Sequence, residues 1–364
     1  MTERRFPTPR RVVVKVGSSS LRTPEGRFDV ALAASLVDQV AEMTHRGVEV
    51  VLVSSGAVAA GLAPLGLERR PTDLPRLQAA ASVGQGLLLH TYQERFAHHG
   101  LACGQTLLTP GDVIDRTRYL NARHTFDTLL SLGAVPVVNE NDTVATEGLR
   151  FGDNDRLAAL VASMLDARLL VLLTDVPGLL DEHGDVVERV DDLAALAGRY
   201  PSVSGSDVGS GGIASKLEAA RIATFSAGHA VIAEARRPGV VAEALVGANV
   251  GTWFPPARVR PESRKLWIAF ARTPRGAIRI DEGAVRALTE RGSSLLAVGV
   301  TEATGSFEVG DAVDVLSPDG TLVARGLSGY GSAALGHIRG RPSADLDPHH
   351  QRAVIHRDSL VVLI

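Results

Sequence analysis

Short apolar runs alternate with helical patterns along residues 1–254, and this alternation restricts the fold more than any other feature of the chain. The runs lie at 11–16, 49–53, 103–108, 135–139, 169–174 and 230–233, several of them apolar at consecutive positions. A strand of that kind is buried on both faces, as in a parallel sheet lying under helices. Between the runs, 29–46, 74–98 and 118–132 read as helices, with Gly47, Gly100 and Gly133 at or just past their ends, where glycine commonly terminates a helix. The order predicts an α/β fold, an α/β/α sandwich around a mostly parallel sheet. The uncharged stretch 50–67 is long enough to cross a bilayer, but Ser54, Ser55, Gly56, Gly61, Pro64 and Gly66 would make a poor spanning helix. A buried strand, a turn and a short helix are expected there, with no membrane partner.

The pattern changes after Phe254. Residues 255–275 hold Pro255, Pro256, Pro261 and Pro274, and six basic side chains against the single acid Glu262. That composition suits a linker. From Gly276 on, short strands and turns dominate: 312–316, the turn Ser317-Pro318-Asp319-Gly320, 321–327 and 359–364, with a helix at 284–291 ahead of Gly292. The expected division is a catalytic domain at 1–254, a linker at 255–275 and a small, mostly β domain at 276–364.

Composition excludes several classes. With 45% hydrophobic and 22% charged residues, the chain is an ordinary globular protein, and its net charge of −3 makes no general case for nucleic acid. Residues 276–364 hold 8 arginines, no lysine and 11 acids, so RNA binding is not expected of that domain. The single Cys103 fits a reducing compartment, and the polar N-terminus lacks the apolar core of a secretory signal; a cytoplasmic location is expected. No Gly-Lys dipeptide, G-x-S-x-G elbow or H-E-x-x-H motif occurs, and the 11 histidines lack metal spacing, so no protein metal site is assigned. His98 and His99 are adjacent at a helix end and cannot share a face; a solvated terminus is expected.

Lysine occurs only at Lys15, Lys216 and Lys265, so 35 of the 38 Lys-plus-Arg residues are arginine. Two of the three lysines lie beside glycine and serine, in VVVKVGSSS and GSGGIASK. A compact ammonium on a slim stem suits phosphate oxygens in a narrow site. Phosphoryl transfer is the chemistry this placement suggests.

The remaining polar motifs fall at the carboxyl ends of the expected strands, where ligands sit in open α/β sheets. Gly17-Ser18-Ser19-Ser20 follows Lys15, with small side chains that let backbone N–H groups approach an anion. Ser54-Ser55-Gly56 opens a helix. Asn139-Glu140-Asn141-Asp142-Thr143 follows 135–138, and Gly152-Asp153-Asn154-Asp155 opens a helix over 156–165, where Asp153 is as well suited to capping as to binding. Thr174-Asp175 ends another strand. Ser210-Gly211-Gly212 precedes helix 213–226, which carries Lys216.

Together, VVVKVGSSSL, VVLVSSGAVAAG, LLTPGDVIDRTRYLNAR, VPVVNENDTVAT, GDNDRLAALVA, LLVLLTDVPGLL and GSGGIASKLEAA resemble the glutamate 5-kinase family of the amino-acid kinase superfamily. The C-terminal DEGAVRALTERGSSLLAVGV and VGDAVDVLSPDG resemble the PUA domain many members carry. NEND followed by GDND is the most specific part. The resemblance implies an amino-acid kinase fold and phosphorylation of the γ-carboxylate of L-glutamate by ATP, with Mg2+ carried on the nucleotide, as the first step of proline synthesis. It implies that Lys15 and Lys216 contact the transferring group and that Asp155 orients them. It implies that Ser55, Asp142 and Asn154 bind glutamate, and that Thr174, Asp175, Ser210, Gly211, Gly212, Ile213, Ala214, Ser215 and Lys216 hold the nucleotide. Ser18 and Ser210 stand where threonine is common, and both keep the hydroxyl. It further implies inhibition by L-proline, a homo-oligomer, and glutamate-5-semialdehyde dehydrogenase as the next enzyme. An aspartate or acetylglutamate kinase is the alternative within the superfamily, and an RNA-binding protein the alternative outside it.

Overall fold

A computed structural model describes residues 6–144, 154–193, 196, 212–257, 274–347 and 352–363. The chain divides into two compact units, Met1–Arg260 and Pro261–Ile364.

The first unit is built on a seven-stranded sheet: β1 (Arg11–Val16), β2 (Glu49–Ser54), β3 (Cys103–Leu108), β4 (Val135–Glu140), β5 (Leu169–Thr174), β6 (His229–Glu234) and β7 (Thr252–Phe254), in the order β3-β4-β2-β1-β5-β6-β7. All neighbours pair in parallel except β6 and β7. The central strand β1 pairs Val14 with Leu52 on one side and with Val171 on the other. Val12, Val13, Val14, Leu170, Val171 and Leu172 are wholly or almost wholly buried, as consecutive apolar residues require. Helices α1 (Val30–His45), α2 (Ala57–Leu62), α3 (Leu74–His98), α4 (Pro110–Ile114), α5 (Arg116–Ser131), α6 (Asn154–Met164), α7 (Ile213–Phe225) and α8 (Val240–Leu245) complete this unit among the described residues. Polar caps set their starts: Asp29 accepts from the Leu32 N–H (3.0 Å), Asp73 from Arg76 (3.1 Å) and Asp115 from Arg118 (2.9 Å). The Asp115 cap starts α5 two residues earlier than the apolar pattern suggests. The stretch 50–67 is β2, α2 and a 3-10 turn at Ala63–Leu65, as expected.

His98 is exposed as expected, but its neighbour departs from expectation. His99 is not simply solvated: its Nε2 lies 2.7 Å from Asp38 Oδ1, and Arg95 grips the same carboxylate at 2.5 and 2.6 Å, joining α3 to α1.

The second unit has a five-stranded sheet made of β8 (Gly276–Ile280), β9 (Val300–Gly305), β10 (Ala312–Leu316), β11 (Leu322–Leu327) and β12 (Leu360–Val362), in the order β12-β11-β10-β8-β9. Helices α9 (Glu282–Arg291) and α10 (Ser332–Ile338) accompany it. Ile278, Val313, Val315, Val323, Leu335 and Ile355 belong to its core. The expected hairpin is present: β10 and β11 are antiparallel, and Asp319 Oδ1 accepts from Thr321 N–H at 3.1 Å inside the turn.

Candidate active site

The carboxyl ends of β1, β2, β4 and β5 converge with the first turns of α6 and α7. Lys15 is the penultimate residue of β1 and is 1% exposed. Asp155, in the first turn of α6, is completely buried. Its Oδ1 pairs with the Lys15 ammonium, and its Oδ2 lies 3.1 Å from Lys216 Nζ in the first turns of α7. Ser215 adds a third contact, donating its hydroxyl to Asp155 Oδ2 at 3.0 Å. Two ammonium groups and one carboxylate are thus withdrawn from water together. Two ammonium groups brought together at the ends of β1 and α7 on one fixed carboxylate are placed to meet the oxygens of an anion. Gly17 adjoins the Lys15 ammonium: a Cβ added there would sit 3.7 Å from Nζ.

A second cluster centres on Asn154. Its Nδ2 lies 2.8 Å from Ser55 Oγ, 2.7 Å from Asn139 Oδ1 and 3.3 Å from the Ser54 carbonyl. Its own Oδ1 is buried and has no hydrogen-bond partner among the described residues. A buried acceptor without a donor is uncommon in a finished core, and here it is suited to receive a donor from a ligand. Asn139 Oδ1 also accepts from the Glu140 N–H (2.8 Å), which fixes the end of β4. Asp142 lies two residues beyond β4, half-buried.

Packing behind this cluster holds Ser55 in place. Ser54 Oγ lies 2.6 Å from the hydroxyl of Tyr92 on α3, whose burial raises its pKa well above the usual phenol value. Helix α2, which starts directly after Ser55 and Gly56, crosses α3 with backbone against backbone. A Cβ at Gly84 would lie 1.7 Å from the Ala57 carbonyl oxygen, and one at Gly61 would lie 1.9 Å from that of Ala80. Only two glycines permit this approach. Gln85, on the same helix, contacts the Glu140 carbonyl (3.5 Å) and accepts from Gln105 (3.2 Å). Sequence reading passes over Tyr92, Gln85 and the glycine pair, because in isolation they are ordinary members of a helical pattern.

Of the nucleotide candidates, Thr174 ends β5 and is buried, Gly212 precedes α7, and Ile213, Ala214 and Ser215 form its first turn beside Lys216. Asp175 faces the loop after β1, where its Oδ1 accepts from Ser19 (2.8 Å) and Ser20 (3.0 Å). Ser210 and Gly211 lie outside the described residues, as does Asp153.

Comparison with known proteins identifies the family. Residues 10–233 match the amino acid kinase family, and residues 276–350 match the PUA domain. The chain is 50% identical to a glutamate 5-kinase of Cutibacterium acnes, across 96% of this chain and 91% of the relative. It is also 50% identical to a glutamate 5-kinase of Salinispora arenicola, across 99% of both. Identity to a glutamate 5-kinase of Moorella thermoacetica is 43%, across 97% of this chain and 96% of the relative.

Proposed function

The chain belongs to the glutamate 5-kinase family and is a kinase, and we propose that it moves the γ-phosphoryl group of ATP directly onto the γ-carboxylate of L-glutamate with two lysines stabilising the transfer. The observation that carries this reading is the completely buried carboxylate of Asp155, shared by Lys15 and Lys216. The acceptor carboxylate is already ionised at neutral pH, so the nucleophile needs no general base. What it needs is placement in line and relief from repulsion by the triphosphate. A carboxylate oxygen bonds to phosphorus as the bond to the β-phosphate bridging oxygen breaks, and ADP leaves. Lys15 and Lys216 would set their charges against the oxygens of the transferring group, and Asp155 would keep both ammonium groups at fixed positions.

Ser55, Asn154 and Asp142 would hold the glutamate. Asn154 Oδ1, without a partner among the described residues, and the Asp142 carboxylate suit its α-ammonium, and the Ser55 hydroxyl, whose oxygen accepts from Asn154, keeps its proton to donate to a carboxylate oxygen of glutamate. Among the described residues, no group of three or more His, Cys, Asp or Glu side chains is arranged to hold a metal ion. Magnesium enters this reading as the ion that ATP carries on its own phosphates, and no step here passes through it.

In this reading residues 1–254 form the catalytic domain, 255–275 the linker and 276–364 the PUA-like domain. L-Proline, which shares the α-ammonium and α-carboxylate of glutamate, would compete for the Ser55–Asn154 pocket, and the acyl phosphate would pass to glutamate-5-semialdehyde dehydrogenase. No described helix is long and apolar enough to cross a membrane; we place the reaction in the cytoplasm and assign the active form to a homo-oligomer. The test is ADP release in a coupled assay offering L-glutamate, L-aspartate or N-acetylglutamate as acceptor. Turnover is expected with L-glutamate, and preference for either alternative would overturn the assignment.

A further inference from the structure

The loop between β1 and α1, residues 17–28, begins next to the Lys15 ammonium and is held from two sides. It folds back on itself through Thr23 N–H to the Arg27 carbonyl (2.8 Å) and Asp29 N–H to the Leu21 carbonyl (2.9 Å). On one side, Asp175 receives the hydroxyls of Ser19 and Ser20 on a single oxygen. Ser20 is only 3% exposed, so water cannot readily replace that acceptor. On the other side stands Arg236, in the turn after β6. Its Nη2 lies 2.7 Å from Asp29 Oδ2 and reaches the carbonyls of Ser20 (3.4 Å) and Arg22 (3.3 Å) at longer range. Asp29 also caps α1 through the Leu32 N–H, so the same carboxylate ties the loop, the helix and the β6 turn together.

We propose that Asp175 and Arg236 are positioning residues that clamp loop 17–28 in the form that presents its N–H groups to the phosphoryl group, Asp175 acting through Ser19 and Ser20 rather than by touching the nucleotide. The proposal rests on the kinase reading given above. Two hydroxyl donors leave the charge of Asp175 in place, and that charge would repel a triphosphate set directly against it, so the carboxylate is better suited to act through the loop. Arg236 does the complementary work on carbonyl oxygens, which no carboxylate could hold. If the clamp is released, only the fraction of molecules with the loop in place remains competent. The burden then falls on ATP and on turnover, because glutamate is held by other elements.

The experiment is a double-mutant cycle. Asp175→Ala should lower kcat/KM for ATP by about tenfold while KM for glutamate moves less than about twofold. In a Ser19→Ala/Ser20→Ala background the same change should cost less than about twofold, because the path through the hydroxyls is already gone. Asp175→Asn, whose amide oxygen can accept from the same hydroxyls, should recover most of the loss. An equal cost in both backgrounds, or an asparagine variant as poor as alanine, would overturn the proposal and make Asp175 a direct nucleotide or ion contact. Hydrogen exchange on the nucleotide-free protein gives a readout independent of the acceptor. Amides within 17–28 should exchange faster in Asp175→Ala and in Arg236→Gln than in the wild type. Unchanged exchange in both would sink the clamp. Absence of glutamate turnover in the wild type would instead count against the assigned reaction.

Discussion

Asp155 Oδ2 lies 3.1 Å from Lys216 Nζ, with the carboxylate completely buried and the lysine only 4% exposed. Because Lys15 takes the other oxygen of the same group, removing the charge at Asp155 takes a buried carboxylate from two ammonium groups at once. Asp155→Asn should therefore lower both turnover and stability: kcat by on the order of 10²–10³ and unfolding free energy by about 3–5 kcal/mol. Lys216→Ala should lose comparable turnover while keeping the Lys15–Asp155 pair and most of the stability. Steady-state kinetics and thermal melts of the two variants check this, and a Lys216→Ala protein with near-normal kcat would exclude the two-lysine mechanism.

Asp142 should matter to one substrate more than the other. If it meets the α-ammonium of glutamate, Asp142→Ala raises KM for glutamate by about tenfold or more, at the scale of a lost charged hydrogen bond, and leaves KM for ATP nearly unchanged. Equal effects on both substrates would mean that the turn after β4 is merely structural.

The crossing of α2 and α3 gives a prediction remote from any charge. Gly84→Ala drives a methyl group into the Ala57 carbonyl, and no side chain is available to move aside. The helices must separate, at a cost of about 1–3 kcal/mol or more. Since α2 begins just after Ser55, the same change should also weaken glutamate binding. Urea melts and KM for glutamate measure the two effects, whereas Gly86→Ala, exposed on the same helix with nothing within 4 Å of its added Cβ, should leave KM unchanged and, by helix propensity, raise stability by up to about 1 kcal/mol.

His229 gives the pH dependence a sign. Burial, assisted by Arg168, pushes its pKa down to about 4, and its Nδ1 accepts from the Trp253 indole while Phe6 stacks on the ring at 4.2 Å. Below about pH 6.5 the unfolded chain takes up a proton at this residue that the native state refuses. The stability it contributes is thus complete above that pH and is lost as pH falls towards 4, with a slope of at most about 1.4 kcal/mol per pH unit. His229→Gln should flatten the wild-type melting profile across this window; parallel profiles would show that the ring is not held neutral.

The sheet was legible because its strands are buried on both faces, and consecutive valines and leucines such as 12–14 and 170–172 can hardly be read otherwise. Strands without that signature escaped. Residues 252–254 are too few to show a period, and in β9 only Val300 is fully buried, so no alternation exists to be seen. The site was legible in pieces. Lysine scarcity singled out Lys15 and Lys216, but nothing local shows that one carboxylate joins them, since Asp155 in a first helical turn looks like any acid near a helix start. Asp175 reads as a strand-end ligand, and nothing local shows that Ser19 and Ser20 donate to it. His99 reads as solvated because its partner, Asp38, lies far away on another helix.

Strand β1 lies between β2 and β5, in the middle of the sheet, so Lys15 leaves the site only when the sheet itself comes apart. Lys216 sits near the start of α7, where fraying of a single turn is enough to withdraw it. The two charges therefore belong to different levels of resistance to opening. In rising urea the enzyme should go dark first, with turnover fading at a lower concentration than the far-ultraviolet circular dichroism signal, while a folded protein with half of its cationic pair remains behind.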